Sequence, residues 1–180
     1  DYVRDKAVDR ETILVGPDFK GNAAAWRALY ARAARGAHIV FLGNHIFHDG
    51  RDRNKWLALP VKGDQSDATD WLYRKDVIAK VNNPFFAGLP AKLMSLDYYG
   101  GLLAHTSYFH GMTNPAPADT AAISIYDDYS GHANYHDGVM LATYPFHAGH
   151  FTINTFNFTD SMGGPATDRQ LLKLVTQAQA

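Results

Sequence analysis

The spacing of apolar residues differs between the first part of the chain and the rest. Thr12-Ile13-Leu14-Val15 is an apolar run closed by Gly16-Pro17, as expected of a buried strand that ends in a loop. Asn22 stands as a cap before the alanine-rich stretch Ala23–Arg35. There Trp26, Leu29, Tyr30 and Ala33 share one helical face, Arg27, Arg32 and Arg35 lie mostly in solvent, and Gly36 supplies the left-handed stop. His38-Ile39-Val40-Phe41-Leu42-Gly43 follows as a second, nearly continuous apolar run. Strand, helix and strand in this order make a βαβ unit, and the lack of alternation predicts parallel strands covered on both faces.

The later pattern is less regular. Residues 1–10 are polar without a clean period and read as a short helix or lead-in loop. Between residues 51 and 81, Trp56, Leu57, Trp71, Leu72, Val77 and Ile78 are scattered among charges, which suits short helices or an excursion over the sheet. Asn83-Pro84-Phe85-Phe86-Ala87-Gly88-Leu89-Pro90 is a turn-rich connector, and Asp97 caps or orients the turn before the next element. Strand signals then dominate at Leu102–Tyr108, Ala121–Tyr126, Val139–Tyr144 and His150–Phe158, the last two joined by a hairpin-length loop that implies an antiparallel pair. The closing helix starts at Pro165 or Thr167, with Thr167 and Gln170 spaced as a capping box and Leu171, Leu174 and Val175 as its apolar stripe. No repeat, low-complexity tract or domain boundary interrupts residues 1–180, so a single domain is expected.

Composition narrows the function classes. The 180 residues are 46% apolar and 19% charged, and 17 Lys+Arg against 18 Asp+Glu leave a formal charge of −1, so no broad basic surface for nucleic acid or anionic lipid is implied. No stretch approaches the roughly 18 apolar residues of a membrane-spanning helix. The absence of cysteine excludes disulfides, thiolate metal sites and a cysteine nucleophile, and fits periplasm and cytoplasm equally. The start at Asp1 leads to the expectation of a piece of a larger protein.

Several segments together resemble a known family. They are Arg35–Gly43, Asn83–Pro90 with Leu96-Asp97-Tyr98-Tyr99, and Ala148–Phe156 followed by Pro165–Leu172. Over about residues 11–178 they look like the class I glutamine-amidotransferase-like, flavodoxin-like domains appended to large bacterial glycoside hydrolases of the beta-galactosidase and sugar-binding family-two type. The ThuA-like trehalose-utilisation proteins are a more distant version of the pattern. The resemblance implies an α/β fold of three layers, with a mainly parallel sheet and an antiparallel C-terminal portion. It also implies oligomer contacts or a part in shaping a neighbouring barrel's active site, and it favours a periplasmic or extracellular setting. In the amidotransferases a cysteine sits on a tight strand-to-helix elbow. Here the comparable stretch is Gly43-Asn44-His45-Ile46, with no nucleophile and no second elbow glycine, so glutamine hydrolysis is not expected.

Two clusters carry candidate chemistry. His45, His48 and Asp49 converge as metal ligands if a helix begins there, although two histidines without a third fixed ligand equally serve to hydrogen-bond loop backbone. Tyr126–Gly138 gathers Asp127, Asp128, His132, His136 and Asp137 with aromatic rings in one inter-strand loop; carboxylates there suit acid-base work on a sugar, while Asp, Asn, Ser and Gly also suit turn geometry. Trp26 reads as core, and Trp56 and Trp71 either pack the middle segment or form a carbohydrate platform. His147 and His150 flank the Ala148-Gly149 turn, which leaves one of them exposed. Open α/β sheets bind ligands beyond the carboxyl ends of their parallel strands, which singles out Asp18, Asn44 and His45. No phosphate-binding glycine pattern occurs, and no cofactor is expected.

The expected function is therefore a non-catalytic accessory domain of a carbohydrate-active enzyme. Its partners would be the other domains of a glycoside hydrolase, with carbohydrate or a second copy as further candidates. The alternatives are an autonomous ThuA-like sugar-related enzyme or sugar-binding module, and an oligomerisation module.

Overall fold

The computed structural model describes residues 10–43, 45–67, 75–112, 120–127, 135–159 and 164–178. The expected opening βαβ unit is present: β1 (Thr12–Val15), α1 (Ala23–Ala34) and β2 (His38–Phe41). Asn22 caps α1, its side chain accepting from Ala24 N at 3.1 Å and Ala25 N at 3.0 Å. The helix buries Trp26, Tyr30 and Ala33, and near its last turn Arg32 pairs with Glu11 just ahead of β1.

The middle of the chain departs from the pattern read along it. A hydrophilic strand, β3 (Lys62–Asp67), forms where only an excursion was expected, followed by β4 (Lys75–Ala79) and the short β5 (Lys92–Leu93). The run from Leu102 is not a strand at its start, because α2 (Leu96–Leu103) occupies it, capped by Ser95 Oγ accepting from Asp97 N; β6 begins only at Ser107 and ends at Met112. Asp97 thus sits in the first helical turn, where a carboxylate favours the helix dipole, while Ser95 does the capping. Tyr99 of α2 is fully buried and donates to Pro90 O at 2.6 Å; burial pushes its pKa up to about 12, so it remains a donor.

The remaining elements are β7 (Thr120–Asp127), β8 (Tyr135–Phe146), β9 (Gly149–Asn154) and α3 (Pro165–Ala178). Pro165 takes the first position of α3, with Asp168 N bonded to Gly164 O. The Thr167–Gln170 capping box does not form: Gln170 is buried and donates from Nε2 to Phe85 O at 3.0 Å, tying α3 to the connector.

Among the described residues nine strands form one mixed sheet in the order β1-β2-β9-β8-β7-β4-β5, with β6 joining β8 and β3 joining β6. Among the described residues β1–β2 and β2–β9 are parallel and the other six pairings antiparallel, so the expectation of a mainly parallel sheet holds only at one edge. The cause is connection length. A crossover helix such as α1 is needed to bring a strand back parallel, whereas a tight turn such as His147-Ala148 between β8 and β9 forces an antiparallel hairpin. That hairpin is the one the sequence predicts.

Both faces of β2 are covered. Ile39 and Phe41 of β2 pack with Trp26 and Tyr30 of α1, while Val40 between them packs in a second cluster with Leu102 of α2 and Leu174 of α3. This explains the unbroken apolar run of β2, as period-two alternation is lost when neither face meets water.

Candidate functional site

The carboxyl ends of β1, β2 and β9 lead into three loops that lie together. One cleft of about 740 Å³ is walled by the loop after β1 (Phe19, Lys20), the start of α1 with Trp26, and the turn after β2 (His45, His48) with Trp56. A second, of about 400 Å³, is walled by Asp18, Leu42 and Gly43, by the loop after β9 (Phe156 to Thr159), and by His105. Phe19, Lys20 and His45 belong to both, so the two clefts adjoin along these side chains.

Local sequence explains why the walls stand where they do. After β2 the chain makes a three-residue 3-10 turn, His45–Phe47, whose apolar Ile46 and Phe47 are buried and turn the imidazoles of His45 and His48 the other way. The segment that follows is tied back at several points. Tyr30 donates its hydroxyl to Trp56 O at 2.9 Å, Asn54 Nδ2 donates to Lys62 O at 2.8 Å, and Arg53 Nη1 donates to Gln65 O at 2.9 Å. Trp56 lies flat against Trp26, with centroids 5.9 Å apart and planes at 9°, and Phe19 meets Trp26 edge-on at 5.2 Å. Gly21 gives Phe19 its place: a Cβ there would lie 2.5 Å from the Phe19 ring tip.

The imidazoles differ in what holds them. His48 Nε2 is 2.7 Å from Gln65 Oε1, and Gln65 Nε2 in turn donates to Ser107 Oγ at 2.5 Å. With the Gln65 amide so assigned, its oxygen accepts, so His48 carries its proton on Nε2. His45 stands edge-to-face with His48, centroids 4.7 Å apart. Although it keeps an exposed edge, partial burial and then the neighbouring His48 lower its pKa from the ordinary value of 6.5, which leaves it neutral at pH 7.

The structure brings together Asp18, His45, His48 and Asp49 of the sequence candidates, in the sense that each walls one or both clefts. It does not gather a metal centre: among the described residues no three His, Asp or Glu side chains converge, Asp49 turns to Lys55 Nζ at 3.3 Å, and His48 is engaged by Gln65. Asn44 lies outside the described residues, as do Trp71, Asp128 and His132. The second cluster is not one loop, because β7 runs to Asp127 and β8 starts at Tyr135, placing Tyr126 opposite His136 and Ile125 opposite Asp137. Asp137 is exposed on β8 and walls neither cleft, and the side chains of Asp127 and His136 are outside the description. His147 and His150 are both exposed. Lys20 and Phe19 were missed by sequence reasoning, though they follow β1 in the same loop as Asp18; His105 and Asn157 carried no signal at all.

The fold and site define a mixed α/β domain whose crevice lies beyond the carboxyl ends of its parallel strands. A scan against protein-family models finds no match, and a search of curated proteins finds none. Among solved structures, the cold-adapted beta-galactosidase from Rahnella sp. R3 is similar over 92% of this chain and 22% of its own, at 12% identity and a TM-score of 0.46. The chain therefore spans under a quarter of that protein, and a likeness of this size defines neither the family nor the chemistry of this chain. No helix among the described residues is long and apolar enough to cross a membrane.

Proposed function

We propose that this chain is a non-catalytic accessory domain of a larger carbohydrate-active enzyme, an amidotransferase-like, flavodoxin-like scaffold that keeps its crevice and lacks its nucleophile. One observation carries the reading. The crevice is formed and furnished with imidazoles, yet the described residues that wall its larger cleft include no Ser, Thr or Cys, and the chain contains no cysteine anywhere. Without a cysteine, the glutamine hydrolysis of an amidotransferase has no nucleophile to carry the acyl group. The segment resemblance to domains appended to glycoside hydrolases supplies the biological setting. The test is turnover by the purified chain of L-glutamine and of nitrophenyl glycosides. No rate above buffer is expected; a rate that His45→Ala abolishes would establish the autonomous enzyme instead.

A second reading, an oligomerisation module, is favoured by exposed leucines on two outer strands of the sheet, Leu14 on β1 at 45% and Leu93 on β5 at 58% exposure. Light scattering on the same sample separates it, since a strict monomer across micromolar concentrations removes this reading.

A further inference from the structure

We propose that the two adjoining clefts form one site for an uncharged, hydroxyl-rich ligand, a glycoside of one or two pyranose rings, with Phe19 as the shared apolar wall and His45 as the shared hydrogen-bonding group. The inference rests on the reading of the crevice as retained but non-catalytic, and it names the ligand class.

Four observations select that class. The first is size: clefts of about 740 and 400 Å³ fall in the range of small-molecule sites, about 300–1,000 Å³. The second is that the anion-binding capacity usual at this place in an α/β sheet is already used, because Asn22 Oδ1 takes the amides of Ala24 and Ala25 that a phosphate would otherwise receive. The third is charge. His45 is neutral at pH 7, and the single lysine shared by the clefts, Lys20, faces a site whose walls also carry Asp18 and Asp49. The fourth is the mixture of surfaces: the half-buried Phe19 and Trp56, backed by the buried Trp26 and Ile46, offer apolar area beside Asn22 and two imidazoles, matching a ring with an apolar face and a hydroxyl rim. Since the tautomer of His48 is set by Gln65, His45 is the imidazole that can donate or accept as a hydroxyl requires.

Isothermal titration of the full chain at pH 7 with methyl pyranosides, lactose and cellobiose, and in parallel with inorganic phosphate and glucose 6-phosphate, tests this. At least one neutral glycoside should bind saturably and at least tenfold more tightly than glucose 6-phosphate. His45→Ala, at an exposed position, should weaken it at least fivefold with an unchanged melting curve, and Gly21→Ala, which displaces Phe19 on the wall of the larger cleft, should also weaken it. Asp137→Asn, exposed on β8 and outside both clefts, should leave neutral binding within twofold. Phosphate or glucose 6-phosphate binding as tightly as every neutral glycoside would overturn the proposal, as would silence from the whole neutral panel or indifference to His45→Ala. Such failure leaves the non-catalytic reading standing, because that reading falls only if the chain turns over substrate.

Discussion

The two ends of the three parallel strands are built from different materials. At the amino end the β8–β9 turn is pressed against the end of α1 by main chain: Ala148 N bonds to Ala34 O at 3.4 Å and His150 N to Ala37 O at 3.1 Å. Gly149 sits there so closely that a Cβ would collide with the carbonyl oxygens of Ala33 and Ala37. Just inside, His38 Nε2, Thr152 Oγ1 and Thr143 Oγ1 run as a polar ladder across β2, β9 and β8, each step 2.7 Å. At the carboxyl end the strands splay into loops whose side chains wall the clefts. One end closes the sheet and the other leaves chemistry open, so substitutions at the two ends should separate stability from binding.

The largest effect should come from Phe151→Ala. Phe151 is fully buried in β9 and touches the rings of Tyr30, Phe41 and Tyr144, and its truncation should cost about 4 kcal/mol in urea unfolding. Gly149→Ala should follow at about 3 kcal/mol, because the obstruction is backbone on both sides and cannot rotate away. Thr152→Val, which removes the middle of the polar ladder, should cost about 1 kcal/mol. At the carboxyl end His45→Ala should change stability by less than about 0.5 kcal/mol, as expected of an exposed loop side chain. A cost at His45 equal to that at Thr152 would erase the contrast.

The smallest effect is the dependence on pH. With its pKa lowered in the folded chain, His45 binds fewer protons there than in the unfolded chain. Its contribution to stability is thus complete above pH 6.5 and declines as pH falls below it. Titration of the His45 ring proton by NMR should give a midpoint below 6.5; a midpoint at or above that value would contradict the partial desolvation and the His48 neighbour that lower it.

Where local signals and tertiary packing agreed, the sequence was enough. Asn22, the apolar face of α1 and the run of β2 each state their own structure; of the residues the crevice rule names, Asp18 and His45 wall the clefts and Asn44 lies outside the described residues. The failures are also physical. Gly100 and Gly101 weaken the helical pattern of α2, which is held by its Ser95 cap and by the burial of Tyr99 and Leu102, so the sequence shows a turn at Asp97 and a strand from Leu102 in its place. β3 has no apolar residue and exists because β6 offers it a ladder, a partner distant in sequence. Trp56 stands as a platform candidate with Trp71, but its pairing with Trp26 is illegible for the same reason: the two meet only when the segment beyond His45 is tied to Lys62, Gln65 and Tyr30.

The most direct test of this division of labour is an amide NMR titration of the full chain with the tightest-binding neutral glycoside. Shifts should concentrate in the carboxyl-end loops, residues 16–22, 45–49 and 155–159, and leave 36–38 and 147–150 unmoved. Shifts centred on the β8–β9 turn, or spread evenly over the sheet, would contradict it.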